Sequence, residues 1–154
     1  MSNDNHFTAQ LQAWLDPLDE ATVECDGMSR IISALLTDSL IEHTVMGGLL
    51  IDMHKLNDPS VGHEEGCACT HWWIELPTGH VIDYRARMWM GQEAQHGVFL
   101  PDNSHFNYRA HEPVFFSDIG YPILSLMSGL DLEDYPQFTA IAQKPATNMR
   151  SSLR

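Results

Sequence analysis

The chain has 154 residues, of which 44% are hydrophobic and 19% are charged, a composition typical of folded globular proteins. This length predicts one domain with its own core. Twenty-one acidic residues against eight Lys and Arg give a formal charge of -13, which would repel the phosphates of nucleic acids and of anionic membranes. We therefore expect neither nucleic acid nor membrane as a partner.

The three cysteines, Cys25, Cys67 and Cys69, are an odd and sparse set, unlike the dense, even sets of secreted disulfide-linked domains. The N-terminus lacks the basic and apolar regions of a signal peptide, and no run of about 18 apolar residues could cross a membrane. These features predict a cytoplasmic protein. We expect the polar ends, near residues 1–5 and 144–154, to be flexible.

Two amphipathic helices are predicted in the N-terminal part of the chain. Apolar residues at helical spacing indicate a short helix near residues 6–16. A second helix is indicated from Cys25 to about Leu40, where the apolar residues fall on one stripe: Met28, Ile31, Ile32, Leu35, Leu36 and Leu40. Glu24 and Asp26 suit the positive end of a helix dipole, so we expect Cys25 at the helix start.

β-Strands are predicted in the centre of the sequence. Residues 44–52 form a predicted strand in which Gly47–Gly48 marks a bulge or a close backbone approach. Residues 53–66 are rich in turn formers and predict a loop. Residues 69–76 and 80–90 are rich in β-formers and are separated by Pro-Thr-Gly, which predicts a hairpin.

The C-terminal part of the chain carries weaker signals. Residues 91–113 show no assignable pattern, and two helices are predicted near residues 122–129 and 132–142. Together, these elements predict an α+β fold in which N-terminal helices pack on an antiparallel sheet.

Cys25 is the first candidate for chemistry. A thiol at a helix N-terminus feels a partial positive charge and meets backbone N–H groups, which stabilise the thiolate. The two flanking acids oppose this effect. Cys25 also precedes the apolar stripe by three residues, so a small buried core residue is the alternative interpretation.

A histidine and an aspartate follow on the predicted hairpin. Alternate residues of a strand share a face, so His71, Trp73 and Glu75 point the same way. Asp83 follows His71 by twelve residues, and facing side chains on antiparallel strands lie within about 5.5 Å, so Asp83 can orient the imidazole. A register slip of one residue would turn Asp83 away and leave Glu75 as the nearest acid.

A cysteine, a histidine and an aspartate in this order supply a nucleophile, a general base and an orienting group. The segments CDGMSRIISALL, VMGG and HWWIELPTGHVID resemble the core of the transglutaminase-like superfamily of papain-like cysteine enzymes. The resemblance covers residues 23–86, less than half of the chain. It depends on Cys25, on the His71-x-Trp73-x-Glu75 strand and on the return from Gly79 to Asp83.

The resemblance implies a papain-like domain over residues 1–154 and an acyl-transfer enzyme that acts on a protein or peptide substrate. It implies Cys25 as nucleophile, His71 as base and Asp83 as the residue that orients His71, with no cofactor. Water would resolve the thioester in a peptidase, amidase or deamidase. An amine would resolve it in a transamidase.

Some positions depart from the family pattern. Trp72 replaces a small residue and offers a stacking surface, and Trp72 and Trp73 are the candidate substrate-binding residues, although Trp73 also matches a packing position. Asp19 lies six residues before Cys25, where papain-like proteases carry glutamine. The backbone N–H of Cys25 is one expected oxyanion donor, and the candidates for a second are Gln10, Gln12 and Trp14.

A zinc-binding protein is one alternative, because His63, Cys67, Cys69 and His71 fall within nine residues. On a strand, the last three would share a face but stand about 6.6 Å apart stepwise, too far for one tetrahedral zinc. A loop at residues 63–69 would relax this objection.

Two further alternatives concern the thiol itself. The Cys25-Asp26-Gly27-Met28 segment partly resembles the helix start of NlpC/P60 cell-wall peptidases, but no aspartate precedes the cysteine and no H-V-G-I-Y-like strand follows. The same fold could also serve as a non-catalytic binding module with an inert triad.

Overall fold

The computed structural model describes residues 2–60 and 66–138. Within these ranges the chain forms five α-helices, one 3-10 helix and five β-strands. The helices are α1 (Ser2–Leu15), α2 (Cys25–Asp38), α3 (Met53–Leu56), α4 (Ala86–Met90) and α5 (Tyr121–Ser128), with the 3-10 helix at Asp16–Glu20. The strands are β1 (Thr44–Asp52), β2 (Ala68–Glu75), β3 (Val81–Asp83), β4 (Gly97–Phe99) and β5 (Phe106–Pro113). None of the helices in these ranges has the length and apolar character needed to span a membrane.

The five strands form one sheet in the order β4-β3-β2-β1-β5, and every neighbouring pair is antiparallel. β2 and β3 form the predicted hairpin, in which Ile74 pairs with Ile82 and Glu75 pairs with Val81. The predicted α+β class with an antiparallel sheet is confirmed.

The main core lies between the sheet and the N-terminal helices. The apolar stripe of α2 is buried in one cluster with Val45, Ile74 and Ile82 of the sheet, and each such side chain stabilises the fold by about 1.5–3 kcal/mol. Leu40, which we placed at the end of this stripe, lies beyond the end of α2 and is exposed. Because side chains alternate along a strand, His71 and Asp83 point to the opposite face of the sheet from Ile74 and Ile82.

A smaller cluster covers that opposite face. It contains Leu50 and Phe106 from the sheet, Ala86 and Met90 from α4, and Ala94. The sheet is therefore covered by α2 on one face and by the segment after β3 on the other. This second layer buries the side chains of His71 and Asp83.

Helix α1 extends the N-terminal layer to the edge of the sheet. Leu11 and Leu15 are buried in the main core, and Gln12 Oε1 accepts a hydrogen bond of 2.9 Å from the backbone N–H of Val98 in β4. The predicted helix near residues 6–16 is present, but it begins at Ser2. Residues 2–5 are therefore helical where we expected a flexible end, and residues 144–154 lie outside the described ranges.

Two predicted elements have different structures from those expected. The strand predicted over residues 80–90 ends at Asp83, because the Asp83 carboxylate accepts the backbone N–H groups of Arg85 and Ala86 and so starts helix α4. Residues 132–137 are not helical where a helix was predicted over 132–142. Pro136 within that segment has no N–H group to donate and restricts the residue before it.

The Gly47–Gly48 pair lies at a register shift between β1 and β5, as the sequence predicted. A Cβ atom on Gly48 would lie 2.1 Å from the backbone oxygen of Arg109. The two strands can approach this closely only because Gly48 has no side chain.

Gly48→Ala should therefore lower the free energy of unfolding by about 1–3 kcal/mol, because its methyl group would overlap backbone that is held in the β1–β5 pairing. Gly47→Ala is the matched control, since its Cβ would meet the Trp72 and Val114 side chains at 3.0 and 3.2 Å and these can shift. Urea unfolding of both variants measures the difference. Equal stability of the two variants would contradict this account of the bulge.

Candidate active site

Cys25 is the first residue of α2, as predicted, and its side chain is half-buried. The residue before it, Glu24, has extended backbone and makes no side-chain hydrogen bond to the helix. The apolar stripe of α2 anchors the rest of the helix in the core. The sequence thus places a thiol at a helix N-terminus whose position is fixed by packing behind it.

His71 is fully buried, and its Nε2 lies 2.7 Å from Asp83 Oδ2. Because a carboxylate only accepts hydrogen bonds, His71 Nε2 carries the hydrogen. The other ring nitrogen, Nδ1, is buried and has no hydrogen-bond partner among the described residues. The interaction predicted between Asp83 and His71 is present, with the register that the hairpin required.

The end of β3 explains how Cys25 and His71 meet although α2 packs on the other face. β3 ends at Asp83, so β2 has no paired strand on that side at the level of His71. A cavity of about 10 Å³ lies there, bordered by Cys25, Trp72, Asp83 and Arg85. This space is large enough for about one water molecule. No hydrogen bond joins the Cys25 thiol to His71 in the described part of the chain, but Cys25 is near enough to be one of the groups that raise the pKa of His71.

Asp83 is a buried carboxylate whose two oxygens accept four hydrogen bonds. Oδ2 accepts from His71 Nε2 and from the Tyr108 hydroxyl at 2.8 Å. Oδ1 accepts from the backbone N–H groups of Arg85 and Ala86 at 2.9 and 3.0 Å. These donors compensate for the loss of hydration that would otherwise make a buried charge costly.

The charges around His71 favour its protonated form. Burial lowers the pKa of His71, but the hydrogen bond to Asp83 and the nearby Asp83 and Cys25 groups outweigh burial and raise it to about 9. Burial and the negative charge of Asp83 also raise the pKa of Tyr108 well above its usual value. At neutral pH these shifts favour an imidazolium at His71 and a neutral Tyr108 behind Asp83.

Cys69 is a second thiol close to this site. Burial, with the nearby charges of Cys25 and Asp83, raises the pKa of Cys69 to about 11. Since the thiolate is the nucleophilic form, this raised pKa makes Cys69 less reactive at neutral pH than an ordinary thiol.

The two candidate substrate-binding tryptophans differ in environment. Trp72 is half-buried, lines the cavity at Cys25 and packs against Phe116 with ring centroids 5.7 Å apart. Trp73 is fully buried, and its Nε1 donates a hydrogen bond of 3.0 Å to Glu75 Oε2. A substrate has no surface of Trp73 to contact, so our prediction for Trp73 was wrong and its role is packing.

Two of the three candidates for a second oxyanion donor have other partners. The Gln12 side chain lies at the edge strand β4, where its Oε1 accepts from the Val98 N–H, and it does not border the cavity at Cys25; the side-chain N–H of Trp14 donates a hydrogen bond of 2.6 Å to the carbonyl of Pro136. We therefore assign neither as an oxyanion donor.

The predicted zinc ligands do not converge within the described chain. Residues 2–60 and 66–138 contain no group of three or more His, Cys, Asp or Glu side chains arranged to hold a metal ion. His71 is bonded to Asp83, Cys67 is buried, and His63 lies outside the described residues.

A larger cleft of about 580 Å³ lies next to the start of α2. Val23, Glu24 and Arg87 line it, and it shares Tyr84 and Arg85 with the border of the small cavity at Cys25. The cleft and the small cavity therefore adjoin at these two residues.

No pattern in the sequence assigned a role to Tyr108 or Arg85. Tyr108 lies in the segment without an assignable pattern, so no periodicity marked its position. Arg85 lies within the strand predicted over residues 80–90, directly after the run Val-Ile-Asp-Tyr, and a charged side chain at such a place requires a partner if it is buried. The need of a buried arginine for hydrogen-bond partners was therefore the one sequence feature that could have pointed to Arg85.

Comparisons of the chain with protein-family models, curated proteins and solved structures returned no significant match. The similarity to the transglutaminase-like superfamily therefore remains a prediction based on the motif residues.

The raised pKa of His71 predicts a pH-dependent stability. The folded chain retains a proton on His71 above pH 6.5 that the unfolded chain releases, so in a Cys25→Ser background, where no Cys25 thiolate compensates for this proton, the free energy of unfolding should fall as the pH rises from 6.5 toward 9. In the same background, Asp83→Asn should remove most of this pH-dependent loss of stability. Glu75→Gln, which changes the other acid considered as a partner of His71, should leave the loss of stability unchanged. Urea unfolding at pH 6 and pH 9.5 tests this, and an unchanged fall in Asp83→Asn would exclude the assigned pairing.

Proposed function

We propose that this protein is a cysteine-dependent acyl-transfer enzyme with a papain-like, transglutaminase-like fold. One arrangement carries the proposal: the buried His71 ring bonds Asp83 at 2.7 Å through Nε2, its Nδ1 has no hydrogen-bond partner among residues 2–60 and 66–138, and Cys25 is near enough to raise the pKa of the ring. A buried polar atom without a partner is uncommon in a stable fold and frequently has a functional role. A thiol nucleophile requires a base in this position.

The reaction begins with attack of the Cys25 thiolate on the carbonyl carbon of an amide. As the C–S bond forms, the developing oxyanion is stabilised by the backbone N–H of Cys25. The imidazolium of His71 then donates its Nδ1 proton to the leaving amine as the C–N bond breaks. Asp83 keeps the ring oriented and stabilises its positive charge.

The thioester on Cys25 is then resolved by a second nucleophile. His71, now neutral, removes a proton from water or from an amine, which attacks the thioester carbonyl and releases Cys25. Water gives hydrolysis of a peptide or amide, and an amine gives transamidation. The cleft beside α2, with its 580 Å³ volume, suits a peptide segment of a protein substrate.

The thiol chemistry predicts selective alkylation of Cys25. Limiting iodoacetamide at pH 6.5 should label Cys25 ahead of Cys67 and Cys69, because Cys67 is buried and Cys69 has a raised pKa. His71→Gln should slow labelling of Cys25 by about tenfold or more, since few ordinary thiols ionise at this pH. Peptide mapping by mass spectrometry measures both rates.

His80→Gln is the matched control for that experiment. His80 is also a buried histidine of the hairpin, but its ring bonds Thr78 at 2.8 Å. Its replacement should leave the labelling of Cys25 unchanged. Faster labelling of Cys69 than of Cys25, or equal labelling in wild type and His71→Gln, would contradict the thiol–imidazole pair.

Acyl transfer itself can be tested with an activated ester. Wild-type protein mixed with p-nitrophenyl acetate should release p-nitrophenol and carry an acetyl group on Cys25 that added hydroxylamine or water removes. Cys25→Ala should show neither the Cys25 acetyl group nor turnover. An alkylation-reactive Cys25 that is acetylated but never released would instead indicate a binding module with an inert triad.

A further inference from the structure

We propose that Arg85 is a positioning residue that fixes the start of α2, and with it the Cys25 thiol, against the His71–Asp83 pair. Its relevance to catalysis rests on the proposed function, whereas its effect on the position of Cys25 does not. Arg85 is buried, and its side chain and backbone contact the two halves of the site.

The Arg85 side chain donates five hydrogen bonds. Nε donates to the carbonyl of Val23 at 2.6 Å. Nη1 donates to Asp19 Oδ1 at 2.8 Å and to the carbonyl of Tyr84 at 2.7 Å. Nη2 donates to the carbonyls of Ala21 and Asp19 at 2.7 and 3.1 Å. All five N–H groups of the guanidinium are therefore used.

Three of the carbonyl acceptors lie in the segment that leads into α2. Asp19, Ala21 and Val23 are alternate residues of this segment, and the last of them is two residues before Cys25. Besides Arg85, the backbone N–H of Thr22 contacts the carbonyl of Ser128 at 3.0 Å. Glu24 does not cap the helix with its side chain. Among the described residues, Arg85 makes more side-chain hydrogen bonds to residues 19–23 than any other residue does.

The backbone of Arg85 is attached to the other half of the site. Its N–H donates to Asp83 Oδ1 at 2.9 Å, and Asp83 Oδ2 holds the His71 ring. One residue therefore connects the carboxylate that orients the base to the segment that carries the nucleophile. The separation of 62 to 66 residues between Arg85 and its partners in that segment means that no local structure enforces this contact.

Lysine cannot reproduce these contacts. An ammonium group has three donors around a point charge, whereas guanidinium presents five donors in a fixed plane. Asp19, whose side chain is 43% exposed, provides the compensating charge for Arg85. Arg85→Lys therefore retains the ion pair and loses the set of carbonyl contacts.

The pKa of His71 depends on the position of Cys25, so it can be used to follow that position without measuring catalysis. Cys25 is one of the groups that raise the pKa of His71, together with Asp83. If the start of α2 moves away, the contribution of Cys25 is lost while that of Asp83 remains. The pKa of His71 should then fall in Arg85→Lys.

The experiment is an NMR titration of the His71 ring in the full chain, together with the pH profile of Cys25 alkylation. In Arg85→Lys we expect a lower pKa for His71 and alkylation of Cys25 slower by about tenfold to a hundredfold at pH 6.5, because a misplacement near 1 Å has effects of this size. Cys25→Ala should lower the pKa of His71 similarly, and the double variant should lower it no further.

Arg109→Lys is the control. Arg109 is an exposed arginine of β5, and it lines neither the cleft next to α2 nor the cavity at Cys25. Its replacement should leave the His71 titration and the Cys25 profile unchanged. A loss of stability alone would change the unfolding midpoint but would not alter the titration of the folded protein.

Asp19→Ala provides a second variant if Arg85→Lys does not fold. It removes the Asp19 carboxylate contact to Arg85 from a partly exposed position and should produce the same changes to a smaller extent. His96→Gln controls for it, because His96 contacts the other carboxylate oxygen of Asp19. The proposal would be overturned if the His71 pKa and the pH profile of Cys25 alkylation in Arg85→Lys were the same as in wild type. The same result in Asp19→Ala would overturn it if that variant is used instead.

The two proposals fail in different ways. If wild-type Cys25 is never acylated but Arg85→Lys lowers the pKa of His71, the proposed function is wrong and the positioning role stands. If wild-type Cys25 is acylated and Arg85→Lys behaves as wild type in both measurements, the positioning role is wrong and the function stands.

Discussion

The buried carboxylate of Asp83 is the interaction on which the rest of the site depends. Its four hydrogen bonds come from the neighbouring strand, from β5 and from the start of α4. A buried charge with fewer donors would be strongly destabilising. The same carboxylate ends β3, begins α4 and holds the His71 ring, so local backbone structure and the geometry of the site are set by one group.

The early end of β3 gives the site its access. A longer strand would continue the pairing along β2 past His71 and close the side from which Cys25 reaches the ring. Instead the chain turns at Asp83, and Arg85 contacts the segment that leads into α2. The helix start, the strand end and the arginine between them form a connected set of hydrogen bonds with little space around the thiol. Such a closely packed arrangement favours a fixed position of the Cys25 thiol relative to the His71 ring.

Much of the fold near Cys25 and His71 follows from local patterns in the sequence. The stripe of α2 and the hairpin of β2 and β3 have strong periodicities, and the pairing of Ile74 with Ile82 places Asp83 on the same face as His71. Residues 86–90 and 132–137 were mispredicted, because Asp83 as a helix-starting acceptor and Pro136 as a helix breaker outweighed apolar content. Trp73 was misassigned because strand alternation shows a shared face but not whether another layer covers that face.

The sequence by itself determined that a thiol begins a helix and that a histidine and an aspartate face each other on a hairpin, since both depend on residues at most twelve positions apart. Only the tertiary structure decided that Tyr108 supports Asp83 and that Arg85 holds residues 19–23. These contacts join distant segments whose proximity results from packing of the two cores on the sheet. Periodicity describes which face of an element is apolar, whereas the partner that meets a polar side chain depends on the positions of all the elements together.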